Sequence, residues 1–271
     1  MHGNHGMFTN LTSYANWIER IVKSTEMRPS DTYHCDRNAS CGCGPTDVIL
    51  TSSRIIGGEL TIDHSWPMII SIQLYGEWHV CSGTILSDLF ILTAAQCVID
   101  WEATDGATII AGVPNLSSPN KISRKIDQIY VHPNYSITEP DLHNIAIIRL
   151  NQSLPLNDES PAIRKTCLSS NTEVPFNEYP APNSKLVVLG WNSFDVETGT
   201  SSRLRQIPVR FIDAKHKTCA NAIINETYQF CASLSTDDHS IALNYLLKCK
   251  KIERNVTSFH LYIQMMPVDR L

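Results

Sequence analysis

Short apolar runs alternate with turn residues through the central part of the chain. Between residues 54 and 231 these runs are four to nine residues long, rich in Ile, Val, Leu and aromatic side chains, and bounded by Gly, Pro, Asn and Asp. Many short strands with few long helical stretches predict an all-β sandwich or barrel. The predicted strands are Met68–Leu74, Trp78–Leu86, Phe90–Thr93, Ala107–Val113, Ile145–Leu150, Leu186–Trp191, Gln206–Ile212 and Tyr228–Cys231.

The two flanking parts of the chain have a different pattern. In residues 12–22 the apolar side chains recur at three- and four-residue steps behind Thr12 or Ser13 as the N-cap, which predicts a short amphipathic helix. Residues 25–54 are polar, contain Pro and Gly, and carry three closely spaced cysteines, as is typical of a linker or propeptide. After Ala232 the pattern is weakly helical, with a basic patch that we interpret as a solvated face.

Composition and charge narrow the function classes. The 271 residues include 22 Lys and Arg and 27 Asp and Glu, giving a formal charge of −5, and 42% of the residues are hydrophobic. A disordered tail, a collagen and a coiled coil are excluded, because such a chain can bury a globular core. The mildly acidic balance predicts no nucleic-acid partner, and no apolar run approaches the roughly 18 to 20 residues of a membrane span.

Cysteines and glycosylation sequons predict an extracellular, glycosylated protein. Nine cysteines suit an oxidising compartment, and seven Asn-x-Ser/Thr sequons are present. The sequons begin at Asn10, Asn38, Asn115, Asn134, Asn151, Asn225 and Asn255. The start MHGNHGMFTN shows no signal peptide, so we expect either unconventional export or a gene product that starts before Met1.

Seven sequence blocks together resemble the trypsin/chymotrypsin-like serine peptidases. They are RIIGGE at 54–59, WPMIISIQ at 66–73, HVCSGTIL at 79–86, FILTAAQCV at 90–98, VHPNY at 131–135, NIAIIRL at 144–150 and LVVLGW at 186–191. The resemblance implies two six-stranded antiparallel β-barrels with the active site in the cleft between them. Because the matching part ends near residue 232, we expect the second barrel to be incomplete.

The resemblance also implies an activation site. Cleavage after Arg54 would free the α-amino group of Ile55, which in the family is buried against an aspartate and shapes the oxyanion hole. The alternative is an ordinary turn before a strand.

Disulfide pairing is implied by family position. The resemblance pairs Cys81 with Cys97 and Cys219 with Cys231, and it gives Cys167 one of Cys35, Cys41 or Cys43 as its partner. The other two linker cysteines then pair with each other, and Cys249 has no predicted disulfide partner. A metal site on the three linker cysteines is an alternative that lacks a fourth ligand, so we predict no metal and no cofactor.

All three members of the family's catalytic triad are missing from this chain. Gln96 stands where the family has His, and Asn144 stands where it has Asp. The Gly-rich block that carries the nucleophilic serine does not occur, and no glycine follows Gly199. Other polar side chains are interpreted as plain polar, structural or solvated residues: Ser233, Ser235, Ser240, His79, His132 and His143.

The N-terminal segment adds a further resemblance. Residues 5–22 resemble the closing strand and helix of a peptidase domain, the alternative being an unrelated amphipathic helix. The predicted organisation is a remnant of a preceding domain at 1–24, a linker or propeptide at 25–54, a truncated peptidase domain at 55–232 and a divergent tail at 233–271.

Three functions are compatible with these features. The first is a secreted, catalytically inactive peptidase homologue that acts by binding protein partners or peptidase inhibitors. The second is a fragment of a functional serine endopeptidase whose catalytic segment is missing from this chain. The third is a non-functional fragment that does not fold.

Overall fold

The structure is a computed structural model of the chain. It describes residues 31–36, 38–51, 58–76, 78–99, 106–156, 162–168, 185–192, 200–212, 215, 231–233 and 266–267. Its strands are β1 (Asp31–Tyr33), β2 (Val48–Leu50), β3 (Glu59–Leu60), β4 (Ile69–Leu74), β5 (Trp78–Ile85), β6 (Phe90–Thr93), β7 (Ala107–Ala111), β8 (Ile122–Val131), β9 (Ala146–Leu150), β10 (Lys185–Asn192), β11 (Thr200–Ile212), β12 (Cys231–Ser233) and β13 (Met266–Pro267). A 3-10 helix, Ala95–Cys97, follows β6. The prediction of an all-β fold is confirmed.

Six strands close into a first barrel in the order β4, β5, β6, β9, β8, β7, with β7 pairing back to β4. Alternation along each strand sends one set of side chains inward, so that in β9 Ala146, Ile148 and Leu150 are buried while Ile147 faces outward. The core is aliphatic. Its fully buried side chains include Ile70, Ile72, Ile85, Ile91, Ile109, Ile148 and Ile163.

A second sheet is built around β10 and β11. The strand order is β12, β11, β10, β13, and β3 also pairs with β11. Leu186 and Val188 of β10 pack with Ile207 and Val209 of β11 in a core of their own. In the described part of the chain this sheet stays open, whereas the first barrel is closed.

The observed strands lie within one or two residues of the prediction for most of the first barrel. The pattern missed β8, where the register shifts between Ile126 and Gln128 and so breaks the regular alternation. Of the last predicted strand, Tyr228–Cys231, only Cys231 lies within the described residues, where it begins β12, and β11 begins at Thr200 rather than at Gln206.

Part of the predicted linker folds onto the second sheet. β1 and β2 form an antiparallel ribbon, and Val48 and Leu50 of β2 are buried beside Trp66 and Trp191. These two strands of three residues are too short to give a periodic signal, so sequence reasoning missed them. The predicted helix at 12–22 lies outside the described residues, and of the predicted tail only 233 and 266–267 are described.

Candidate active-site region

Gln96 and Asn144 meet at one end of the first barrel. β6 and β9 are paired neighbours, with Thr93 opposite Ala146, so the residues after β6 and before β9 share an edge. The backbone N–H of Gln96, in the 3-10 helix, donates to Oδ1 of Asn144 at 3.0 Å. Both residues are half-buried. The fold therefore brings together the two residues, 48 positions apart in sequence, that the sequence analysis predicts to stand at triad positions.

Two carboxamides cannot perform the proton transfers of a serine peptidase. A general base must accept a proton near neutral pH, and its partner carboxylate must stabilise the resulting cation. The side chains of Gln and Asn donate and accept hydrogen bonds but carry no charge and bind no proton in this range. The hydrogen bond between the pair can hold the 3-10 helix in place.

Two histidines stack beside Asn144. The rings of His132 and His143 lie with centroids 4.9 Å apart and planes 6° apart. His143 adopts a left-handed backbone conformation with φ of 53°, and the Nδ1 atom of His132 accepts a hydrogen bond from the Asn134 N–H at 3.2 Å. Sequence patterns could not predict this stacking. Side-chain directions are inferred from strand alternation, and that alternation does not hold for a residue in the left-handed region.

The described residues on either side of the candidate cleavage point are tied together by hydrogen bonds. Arg54 and Ile55 lie outside the described residues. On either side of them, the Thr51 N–H donates to both carboxylate oxygens of Glu59, at 3.0 and 3.2 Å, and the Thr51 hydroxyl also bonds to Glu59. Gln206 donates to the same carboxylate at 3.0 Å.

Gln206 extends this network into the second core. Its side chain is buried, its Nε2 also donates to the Ile49 carbonyl at 2.7 Å, and its Oε1 accepts from the Trp66 indole at 2.8 Å. The amide of Gln206 therefore has hydrogen-bond partners for both its oxygen and its nitrogen. These bonds compensate for the free-energy cost of removing a polar group from water. Nothing in the sequence pattern marked Gln206, because its partners lie more than 100 residues away.

His79 sits at the junction of the two barrels. Its Nδ1 lies 2.7 Å from the hydroxyl of the buried Ser71, and its ring centroid is 5.6 Å from that of Trp191 in β10. Burial lowers the pKa of His79 from 6.5 to about 4, because desolvation disfavours the charged ring. The imidazole is therefore neutral at physiological pH and acts as a packed, hydrogen-bonded side chain.

Acidification is expected to destabilise the protein through His79. The unfolded chain binds a proton at this residue below about pH 6.5, whereas the folded chain does so only near pH 4. The free energy of unfolding should therefore fall as the pH drops from about 6.5 to about 4, with no further loss from this group below that range. Thermal melts across this range should show a shallower pH slope for His79→Gln than for the wild type. A pH slope for His79→Gln equal to that of the wild type would contradict this expectation.

Three disulfides connect the described residues. Cys81 is bonded to Cys97, Cys41 to Cys167 and Cys35 to Cys43. Cys41 is therefore the partner of Cys167 among the three linker cysteines. All three linker cysteines are oxidised, so the alternative of a metal site on their thiolates is wrong. Cys219 lies outside the described residues, so its pairing with Cys231 stays a prediction.

The chain is similar to a protein family and to several known proteins. Residues 55–242 match the Trypsin family. Transmembrane protease serine 11C of Mus musculus is 32% identical over 183 residues, which cover 65% of this chain and 38% of that protein. Transmembrane protease serine 11E of Mus musculus is 29% identical over 207 residues, which cover 73% of this chain and 43% of that protein. Transmembrane protease serine 11B of Homo sapiens is 26% identical over 227 residues, which cover 83% of this chain and 50% of that protein.

A solved structure shares the fold. Neuropsin, a serine protease expressed in the limbic system of mouse brain, superposes with a TM-score of 0.53 and 24% identity, covering 66% of this chain and 74% of that one. The fold is thus the double β-barrel of trypsin-like proteins, as predicted.

The chain belongs to the trypsin family of serine peptidases, because the family match covers more than half of its residues. It spans half or less of the length of these three curated relatives. Within the described ranges, no helix has the length and apolarity that crossing a bilayer requires.

Proposed function

We propose that this protein is a catalytically inactive member of the trypsin family that acts by binding. The observation that supports the proposal is the contact between Gln96 and Asn144, two carboxamides at the positions where the sequence resemblance predicts the family's base and its orienting carboxylate. Removal of the base alone costs an enzyme of this kind about as much activity as removal of the whole triad. The chain also lacks the Gly-rich nucleophile block.

A surface suited to protein partners supports binding as the remaining activity. The hairpin between β4 and β5 presents Tyr75 and Trp78, which are 77% and 69% exposed and stack edge to face with centroids 6.1 Å apart. Exposed Tyr and Trp are the residue types most enriched at the centres of protein interfaces. We propose protein partners or peptidase inhibitors as the ligands. We also propose that cleavage occurs after Arg54 and frees the α-amino group of Ile55.

Secretion is proposed on the disulfides and the sequons. Disulfides persist in oxidising compartments, and three are present in the described residues. Asn38, Asn134 and Asn151 of the sequons are exposed, whereas Asn115 is half-buried.

Glycosylation at the exposed sequons is the expected result of passage through the secretory pathway. Expression in mammalian cells should give a product whose mass falls on treatment with an N-glycosidase. Peptide mapping should find deamidated Asn at positions 134 and 151 after that treatment. Asn134→Gln should remove one glycan without changing the fold. Protein in the culture medium that carries no glycan at either position would contradict the proposal.

Labelling by a fluorophosphonate probe tests the proposed inactivity. The probe reacts with an activated serine, so the purified chain, intact or cleaved behind Arg54, should stay unlabelled beside an active trypsin-like peptidase that labels fully. Labelling would instead support the alternative that the chain is part of a functional endopeptidase.

A further inference from the structure

The hairpin between β4 and β5 holds an aromatic side chain in an unfavourable backbone conformation. Tyr75 has φ of 52°, in the left-handed region, and Gly76 follows it with φ of 78°. Hairpin positions of this kind are ordinarily filled by Gly, Asn or Asp, and a bulky side chain there is an outlier. Such outliers cluster at functional sites, where the surrounding structure holds them in place. The conformation of Tyr75 therefore points to a role in binding.

Two neighbours fix the position of the Tyr75 ring. The Tyr75 N–H donates to the Gly106 carbonyl at 2.8 Å, and a methyl group added at Gly106 would lie 3.6 Å from the ring. The ring of Trp78 stands at 84° to that of Tyr75, with centroids 6.1 Å apart, and both side chains are exposed. We call Tyr75 and Trp78 the aromatic pair. Because the two rings are nearly perpendicular, they form a corner in which one ligand group can contact both.

The sequence around the aromatic pair is acidic. Between Ile55 and Asn120 it contains seven Asp and Glu residues and no Lys or Arg. Glu77 lies within the hairpin, and Asp105 directly precedes Gly106. Since consecutive Cα atoms are about 3.8 Å apart, chain connectivity alone keeps both carboxylates close to the aromatic pair.

The described charges of β8 do not reverse this balance. Lys125 lies opposite Thr108 of β7, and Asp127 forms an ion pair with Arg149 of β9. One lysine thus stands against the carboxylates of the hairpin and of the segment before β7. The surface is therefore complementary in charge to a basic ligand rather than to an acidic one.

We propose that the aromatic pair binds an arginine or lysine side chain presented by a basic segment of a partner protein. A cation over the face of an aromatic ring is attracted by the ring quadrupole, most strongly when the ring is that of Trp. The neighbouring carboxylates add an attraction that weakens with salt. This inference rests on the proposed function of binding protein partners, and it specifies the chemistry of one of them.

Fluorescence anisotropy with labelled peptides tests the proposal on the full-length chain. A Gly-Ser peptide that carries three arginines should bind with a saturable signal. The same peptide with three citrullines, which keep the shape of arginine without its charge, should bind at least about threefold more weakly, and the version with three glutamates should not bind. An increase in NaCl from about 0.05 M to about 0.5 M should weaken binding of the arginine peptide severalfold.

Variants of the aromatic pair locate the binding site. Trp78→Leu keeps an apolar side chain but removes the ring, so it should weaken binding of the arginine peptide about three- to tenfold. Tyr75→Asn should weaken it too without straining the turn, because Asn tolerates the left-handed region. Tyr130→Leu removes another exposed aromatic side chain, on β8, and is the matched control that should keep the wild-type affinity.

The proposal is overturned if the arginine peptide does not bind, if the citrulline peptide binds equally well, or if both hairpin variants keep the wild-type affinity. Self-association of the chain that Trp78→Leu abolishes would place a second copy on the aromatic pair and would overturn it as well. Equal binding of the citrulline peptide that is lost in both variants would leave the proposed binding function in place and exclude a basic partner. The proposed inactivity is tested separately by the fluorophosphonate probe.

Discussion

Restoration of the two family residues at the candidate site, Gln96→His together with Asn144→Asp, is expected to leave turnover at background. The new imidazole would have its orienting carboxylate, since an aspartate at 144 can accept the same hydrogen bond from the residue 96 N–H. The sequence contains no Gly-rich block of the kind that supplies the nucleophilic serine and the oxyanion-hole amides, so the imidazole would have no such serine to deprotonate. Turnover of arginine, aromatic and alanine ester substrates should therefore stay more than about 10⁴-fold below that of an active trypsin-like peptidase.

Two controls separate inactivity from misfolding. Asn144→Asp alone should preserve the melting temperature, because both side chains accept the bond from Gln96. Each variant should be assayed before and after cleavage behind Arg54. Saturable ester turnover by the double variant, blocked by a fluorophosphonate, would show that another residue of this chain serves as nucleophile.

Loss of the Cys41–Cys167 disulfide is expected to destabilise the fold more than loss of the other linker disulfide. The bond closes a loop of 126 residues, so chain entropy alone predicts a cost of about 4 to 5 kcal/mol for Cys41→Ser with Cys167→Ser. The melting temperature should fall by about 10 to 20 °C. The bond also sits where Gly42, with φ of +79°, donates its N–H to the Lys165 carbonyl at 2.8 Å.

The Cys35–Cys43 disulfide provides the matched control. It lies in the same ribbon but closes a loop of only eight residues, for which the same relation gives about 2 to 3 kcal/mol for Cys35→Ser with Cys43→Ser. Differential scanning calorimetry of the two double variants should therefore rank Cys41–Cys167 as the larger loss. Equal losses would show that the ribbon contributes to stability through its packing rather than through loop closure.

Much of the first barrel could be predicted from the sequence. Runs such as Phe90–Thr93 and Ala146–Leu150 alternate inward and outward side chains with period two, and this period is a local property of a strand that covers a core. β8 was missed because its bulge shifts the alternation by one residue, and the β1–β2 ribbon was missed because three residues contain no period.

The chemical identity of the candidate site also came from the sequence. Gln96 and Asn144 were identified from the blocks around them, and a carboxamide lacks a proton-accepting group wherever it is placed. The inference of inactivity therefore did not depend on any interatomic distance in the structure. What the structure added is that these two residues touch, since β6 and β9 are neighbours in the closed barrel.

Other properties were decided by tertiary structure alone. Three cysteines lie within nine residues, and their spacing in sequence does not decide which one bonds to Cys167. Cys41 does so because the packing of the β1–β2 ribbon brings its Cα to 5.1 Å from that of Cys167. The lowered pKa of His79 likewise comes from its burial, and its ring packs against that of Trp191, which lies in the second sheet more than 100 residues away in sequence. The sequence determines residue chemistry and local period, because both are set by neighbours along the chain, whereas pairing and desolvation are set by neighbours in space.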